Sequence, residues 1–340
     1  MFSTHFPRTK VRCLSVLLLC LATGGATAQN SEKIAQRNTP SAPDSAIPNW
    51  ATIESVEVKA KPGPAVWHVT RGDSEVWILG LVGAMPKNLD WNKQYLSELL
   101  DGAHTIILPP QMHAGLLEVG WFLITHAGDL DMSLPRGQTL QAMIPAPVWS
   151  HFLAVLAAIG DKPEHYKTDN PIRAAGRLNN AFSTHANLAG DEPMATINKL
   201  AREKKVTVQP VFRVEVMPIA KEAFKVSVED QRPCFGEAVE DVDRMSQHAV
   251  AAAEAWAVGD VKAVKANFAE SRLSLCEDGL VHSLDDVDKS RVAGFVTAIN
   301  DALNKPGKTI VVMGMGPLLR RGGVLEQLQA QHAAIEGPKE

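Results

Sequence analysis

The sequence lacks any long basic run, any membrane-length apolar stretch and any paired-histidine motif, and each absence removes a class of function. Lysine and arginine number 34 against 38 acidic residues. No run of positive charge exceeds a few residues, which argues against a nucleic-acid surface. Beyond the first 28 residues no segment is apolar enough and long enough to cross a bilayer, which takes about 20 residues. Eleven histidines are present, yet H-E-x-x-H does not occur and no two histidines stand close together, so the helical metalloprotease motif is missing. No repeat of solenoid length is found. Cysteine is scarce, with four in 340 residues.

What is present reads as an ordinary globular chain behind an export signal. The composition, 45% hydrophobic and 21% charged, suits one large or two modest domains with a substantial core. Arg8, Lys10 and Arg12 precede an apolar stretch from Cys13 to Leu21, and Ala26-Thr27-Ala28 supplies small residues at a cleavage site. Residues 1–28 therefore read as a secretory signal peptide cut after Ala28. Leu19 before Cys20 lacks the small side chain of a lipidation site, so the mature chain is expected without a lipid. Removing three basic residues leaves 31 against 38, a charge of −7. The expected location is periplasmic or secreted, with no membrane span in the mature chain. Cys234 and Cys276 are the cysteines that remain. In an oxidising compartment such a lone pair is a disulfide candidate, the alternative being two buried free thiols. Neither has a histidine nearby in sequence, which argues against a thiol nucleophile.

Residues 29–60, rich at first in Gln, Asn, Ser, Pro and Ala, read as a disordered leader. A single domain is expected over 61–340. Its first element is a hairpin, with strands at Ala65–Val69 and Glu75–Leu79 around Gly72-Asp73. A helix over Asp90–Leu100 and a strand over Thr105–Leu108 follow, making a βαβ unit with parallel strands. The middle of the chain reads as helical: Pro147–Ile159, Pro171–Phe182, a helix after Asp191, a strand within Lys205–Phe212, and a long helix over Cys234–Ala257. A helix begins at Gly259-Asp260, with Asp260 as its cap. Helices over Val287–Leu303 and Val324–Ala334 flank a last strand at Thr309–Met313. The fold class is thus α/β, a central mixed, largely parallel sheet with a helical middle region.

Three loops follow three expected strands: Gly80–Pro86, Pro109-Pro110-Gln111 and Gly314–Leu318. Ligands of open α/β sheets bind at the carboxyl ends of strands, so neighbouring parallel strands bring these loops to one crevice. Two of the loops carry motifs. Val76-Trp77-Ile78-Leu79-Gly80-Leu81-Val82-Gly83-Ala84-Met85-Pro86 and Ile310-Val311-Val312-Met313-Gly314-Met315-Gly316-Pro317-Leu318 resemble the terminal motifs of the TraB/GumN (TraB/PrgY/GumN) family, which is related to the Tiki proteases. There the motifs read roughly G-T-x-H-x-L-P and G-x-G-H-L. Ala65-Val66-Trp67, Asn88-Leu89-Asp90-Trp91, Trp256-Ala257-Val258-Gly259-Asp260 and Gly322-Gly323-Val324-Leu325 extend the resemblance over most of the mature chain. It implies a TraB/GumN (Tiki-like) fold and, in relatives, a metal-dependent hydrolase built on two histidines and a glutamate, a sensible divalent-metal shell.

This chain departs at all three positions. Gly83 and Pro317 stand where the family carries histidine, and Pro109 follows Leu108 where it carries glutamate. The family's Arg-Asn pair before the last long helix is also absent, Arg291-Val292 being nearest. None of the three residues offers a metal-ligating side chain. The resulting expectation is a degenerate site with no catalytic residue, metal or cofactor, serving a binding or regulatory role toward a small molecule or protein. The alternative is a metal-dependent peptidase or other hydrolase on displaced ligands, for which His104 and His113, flanking the Pro109 loop, are the first candidates; their plainer role is as solvated loop residues. Arg320 and Arg321, ahead of the last helix, are candidate ligand-binding residues for a carboxylate or phosphate, the alternative being a solvated basic turn. His68 reads as a half-buried structural residue, and Trp67, Trp77, Trp91, Trp121, Trp149 and Trp256 as core.

Overall fold

The alternation of apolar and polar residues over 66–81 builds a hairpin at the heart of a mixed sheet. The computed structural model describes residues 56–57, 63–83, 85–126, 132–188 and 192–338. The signal-peptide reading and nearly all of the leader fall outside these residues. Strands β1 (Val56–Glu57), β2 (Val66–Arg71), β3 (Ser74–Leu81), β4 (Ala103–Leu108), β6 (Thr207–Pro210), β8 (Gly307–Gly314) and β9 (Ala334–Gly337) form one sheet in the order β1-β9-β2-β3-β8-β4-β6. Strands β5 (Gln111–His113) and β7 (Arg213–Glu215) pair separately. β2 and β3 pair antiparallel with Arg71 opposite Ser74, and Gly72 turns the chain at φ 57°, a conformation that glycine adopts without a Cβ clash. From β3 onward the neighbours β8, β4 and β6 run parallel. β8 is buried through its middle, Ile310–Met313, as expected of a strand flanked on both sides in a parallel sheet.

Thirteen α-helices occur among the described residues: α1 (Lys93–Leu99), α2 (Leu116–Thr125), α3 (Leu140–Met143), α4 (Ala146–Ile159), α5 (Pro171–His185), α6 (Glu192–Lys204), α7 (Val216–Ala223), α8 (Val228–Val258), α9 (Val261–Asn267), α10 (Arg272–Leu280), α11 (His282–Leu303), α12 (Met315–Leu319) and α13 (Val324–Ala330). One core joins the sheet to α1, α6, the end of α8, α9 and α11 to α13. A second lies among α4, α5, the first half of α8 and α10, centred on Phe152, Tyr166, Leu178 and Phe235. The 31-residue α8 spans both. Its start is capped by Ser227, whose side chain accepts from the Asp230 N–H, and its end by Gly259 at φ 78°. Gly259 has a second constraint: a Cβ there would sit 2.9 Å from the Gly63 carbonyl oxygen.

Several expectations are refined. β3 and β4 are parallel, but β8 lies between them. The last helix ends at Ala330, and the chain then adds β9 against β2 and β1. β1 takes two residues from the stretch expected as leader. Asp260 caps α9 by accepting from the Ala263 N–H at 2.9 Å. Trp67, Trp91 and Trp256 are buried, and Trp77 and Trp149 pack against the two cores. Trp121 departs from the core reading, being 70% exposed with Leu116, Leu117 and Ile124 of the same helix. The cause is packing: among the residues of α2, only Phe122 is buried. No helix among the described residues is long and apolar enough to cross a membrane.

Candidate functional site

The register of the parallel strands sets where the three loops of the expected crevice emerge. β3 pairs with β8 from Ser74 opposite Gly307 to Leu81 opposite Gly314, and β4 pairs with the other side of β8, Ile107 opposite Val311. The three carboxyl ends therefore leave the sheet side by side, and the loops carrying Gly83, Pro109 and Pro317 emerge along one edge. The order β3-β8-β4 puts the Pro317 loop in the middle.

Each loop has a local reason for its shape. Gly80 ends the buried part of β3, and a Cβ there would meet Met315 Sδ at 2.6 Å, so α12 packs directly on the strand. Trp256 of α8 donates its indole N–H to the Gly80 carbonyl at 2.5 Å, which ties the distant Trp-x-x-Gly-Asp segment to the first loop. Gly83 is exposed, and a Cβ there would meet nothing within 4 Å. Its side of the crevice is open, with room for the side chain it lacks. Pro317 lies in the first turn of α12, after the cap Gly314, where the missing N–H costs no helical hydrogen bond. Pro109 and Pro110 interrupt the β4–β6 ladder, since proline has no N–H to donate. The ladder resumes beyond them, with the Gln111 N–H donating to the Phe212 carbonyl at 3.1 Å as β5 pairs parallel with β7.

One carboxylate at this edge has no signal in the sequence. A Cβ on Gly316 would come within 2.6 Å of Glu270 Oε1, so the Glu270 side chain rests directly on the second glycine motif. It arrives from the segment between α9 and α10. Arg320 faces it, one guanidinium nitrogen 3.4 Å from Glu270 and the other 3.2 Å from Asp288. The Arg244 guanidinium donates to the Glu270 backbone carbonyl at 3.1 Å. The positive charge of Arg320 is thus held by two partly buried carboxylates of its own chain. Arg321 is exposed. The turn ahead of α13 is closed by the chain itself: the Gly322 N–H donates to Glu326, and Gln327 donates to the Gly322 carbonyl at 2.8 Å.

The substitute ligands considered from the sequence do not converge. His104 lies at the amino end of β4, where its ring packs against Gly307, at the opposite edge from Pro109. His113 lies on β5, past the carboxyl end, and is exposed. The physical reason is the length of β4, which separates the two by a full strand. His68 is held in a structural arrangement, with Nε2 3.0 Å from Glu75, Nδ1 3.4 Å from Glu336 and the ring stacked on Trp77 at 4.0 Å. Among the described residues one group with clustered ligand atoms is His282, Asp285 and Asp286. It sits in the first turn of α11, with His282 and Asp286 exposed.

The residues at the three positions do not fit a divalent metal. Gly83 has no side chain, and Pro109 and Pro317 have neither an imidazole nor a carboxylate. Glu270 offers a single carboxylate already paired with a guanidinium, whereas such a shell takes several N or O donors. Cys234 and Cys276 stand at disulfide distance, 1.97 Å between sulfurs and 5.4 Å between α-carbons, joining α8 to α10 as a side-by-side pair. Above that bond Asp241, 2% exposed, accepts from Ser271 Oγ at 2.7 Å, from the N–H groups of Arg272 and Leu273, and from Arg244.

The family model described as TraB/PrgY/gumN family matches residues 65–337. That span takes in the hairpin, all three crevice loops and the last strand. Comparison with curated proteins and with solved structures gives no match.

Proposed function

Because the chain belongs to the TraB/PrgY/gumN family, we propose that it keeps the family scaffold and its crevice while having lost the metal chemistry, and that it works after export as a non-catalytic binding or regulatory module. The observation that carries this reading is the triple departure at Gly83, Pro109 and Pro317 along one edge of three adjacent parallel strands. The substitutions fall on the positions that would supply donors, while residues that shape the crevice stay in place: Gly80 under Met315, Trp256 on the Gly80 carbonyl, and Gly323 in the turn after α12.

Among the described residues, Glu270 is the carboxylate found against Gly316 of the second motif, and a hydrolase on displaced ligands would draw on it. Its pairing with Arg320 opposes that role, because a guanidinium at hydrogen-bonding distance competes with a cation for the same oxygens. Peptide and ester hydrolysis by the mature protein, measured with Mn, Co or Zn added and then with chelator, is expected to show no metal-dependent turnover. Turnover that rises with one metal and is lost with chelator would overturn the proposal.

A further inference from the structure

A concavity separate from the three loops lies among the helices. It is a cavity of about 580 Å³ between the helices of the second core and α7 and α11, within the size range of small-molecule sites. None of its lining residues comes from the three crevice loops. The wall is mostly aliphatic, with Ile219, Ala223 and Leu284 among the contributors, and among its described residues holds one ionisable side chain, Glu277, and no lysine, arginine or histidine.

Two polar groups in this wall lack partners. Gln231 is 7% exposed, and its Nε2 donates to the Val226 carbonyl at 3.1 Å while its Oε1 accepts from nothing. A buried acceptor without a donor is costly, and such groups in native proteins ordinarily find one. The Glu277 carboxyl makes no hydrogen bond or ion pair among the described residues. Burial, reinforced by the neighbouring Asp278, pushes its pKa up to about 7. The Cys234–Cys276 pair holds the two groups together, since Gln231 precedes Cys234 by three residues on α8 and Glu277 follows Cys276 on α10. The cavity therefore presents one carboxylate in a mainly apolar wall whose other polar side chains are Gln231, Ser133 and Asn170, with no cationic side chain among its described lining residues.

We propose that this cavity binds an aliphatic amine, an apolar body against the aliphatic wall with one protonated amino head group that pairs with Glu277. An ammonium supplies three donors and no acceptor, complementing the unpaired Glu277 carboxyl. A carboxylate of the same length would bring like charge to Glu277. The site does not depend on the state of the crevice.

The test is calorimetric titration of the full mature protein at pH 8 with decylamine, decanol and decanoate below their micellar concentrations. Decylamine is expected to bind saturably at one per chain, at least tenfold tighter than decanol, with no binding of decanoate. Glu277→Gln should bring decylamine to the affinity of decanol, and Ala223→Trp, which fills the cavity from α7, should abolish both. Absence of saturable decylamine binding, equal binding of decanoate, or undiminished decylamine affinity in Glu277→Gln overturns the proposal. If circular dichroism shows Ala223→Trp unfolded, the Glu277→Gln comparison decides.

Discussion

Glu277→Gln should also change stability in a pH-dependent way with a defined sign. Burial raises the Glu277 pKa from the usual 4.5 to about 7, with Asp278 adding to the effect. Native protein therefore holds the proton more tightly than unfolded chain. Below pH 4.5 both states are protonated and the favourable contribution is fully present. As pH rises from 4.5 to about 7 the unfolded carboxyl ionises first and that contribution is lost; above 7 the loss is complete. Each tenfold change in proton affinity is worth about 1.4 kcal/mol, which sets a ceiling of about 3 kcal/mol, and solvent reaching the partly exposed carboxyl reduces it to about 1–3 kcal/mol. Glutamine cannot ionise. Urea unfolding at pH 4.5, 6, 7 and 8, followed by tryptophan fluorescence, should show the variant gaining on the parent protein through this window and holding its advantage above pH 7. A difference flat across the range, or one favouring the parent at pH 8, would refute the reasoning that apolar burial governs this carboxyl.

Other expectations follow from packing and covalent structure. Gly323→Ala would put a Cβ 2.6 Å from the Arg320 carbonyl oxygen and 2.8 Å from that of Pro317; such overpacking against backbone should cost about 1–3 kcal/mol. Gly83→Ala, in open space, should change stability by under about 0.5 kcal/mol, and equal effects in denaturant titrations would contradict the contrast. Cys234 and Cys276 are expected to be oxidised to each other in exported protein. They are 42 residues apart, so Cys276→Ser should cost up to about 4 kcal/mol in the loop-entropy model; two thiols alkylated under denaturing, non-reducing conditions would disprove the bond. N-terminal sequencing of protein from the native envelope should begin at Gln29, and a retained Met1 or a lipid on Cys20 would contradict export by a cleaved signal.

The parts of the fold written in local pattern could be read in advance. The hairpin was legible because alternating apolar residues flank Gly72-Asp73, and the shared edge of the three loops because three apolar strands each break into a Gly- or Pro-containing loop. The short outer strands were not. β9 is the four residues Ala334–Gly337, with no alternation to mark it, and it exists through pairing with β2. β5 and β7 are three residues each and mostly exposed, set by continuation of β4 and β6 past the prolines. Trp121 was misread because residue type favours burial, while tertiary packing left that face of α2 outward. Glu270 was invisible for a related reason: nothing near it in sequence signals a site, and only the approach of its segment to Gly316 puts it at the crevice. Arg320 was read as a ligand-binding cation ahead of the last helix, but its two carboxylate partners, Glu270 and Asp288, come from other elements and were not legible.

The proposed loss of metal donors at Gly83, Pro109 and Pro317 makes one direct prediction about composition. Elemental analysis of purified mature protein after exhaustive dialysis, without chelator, should find Mn, Co and Zn each well below one atom per chain. A stoichiometric content of any of them, retained through dialysis and lost together with hydrolytic activity on chelation, would contradict it.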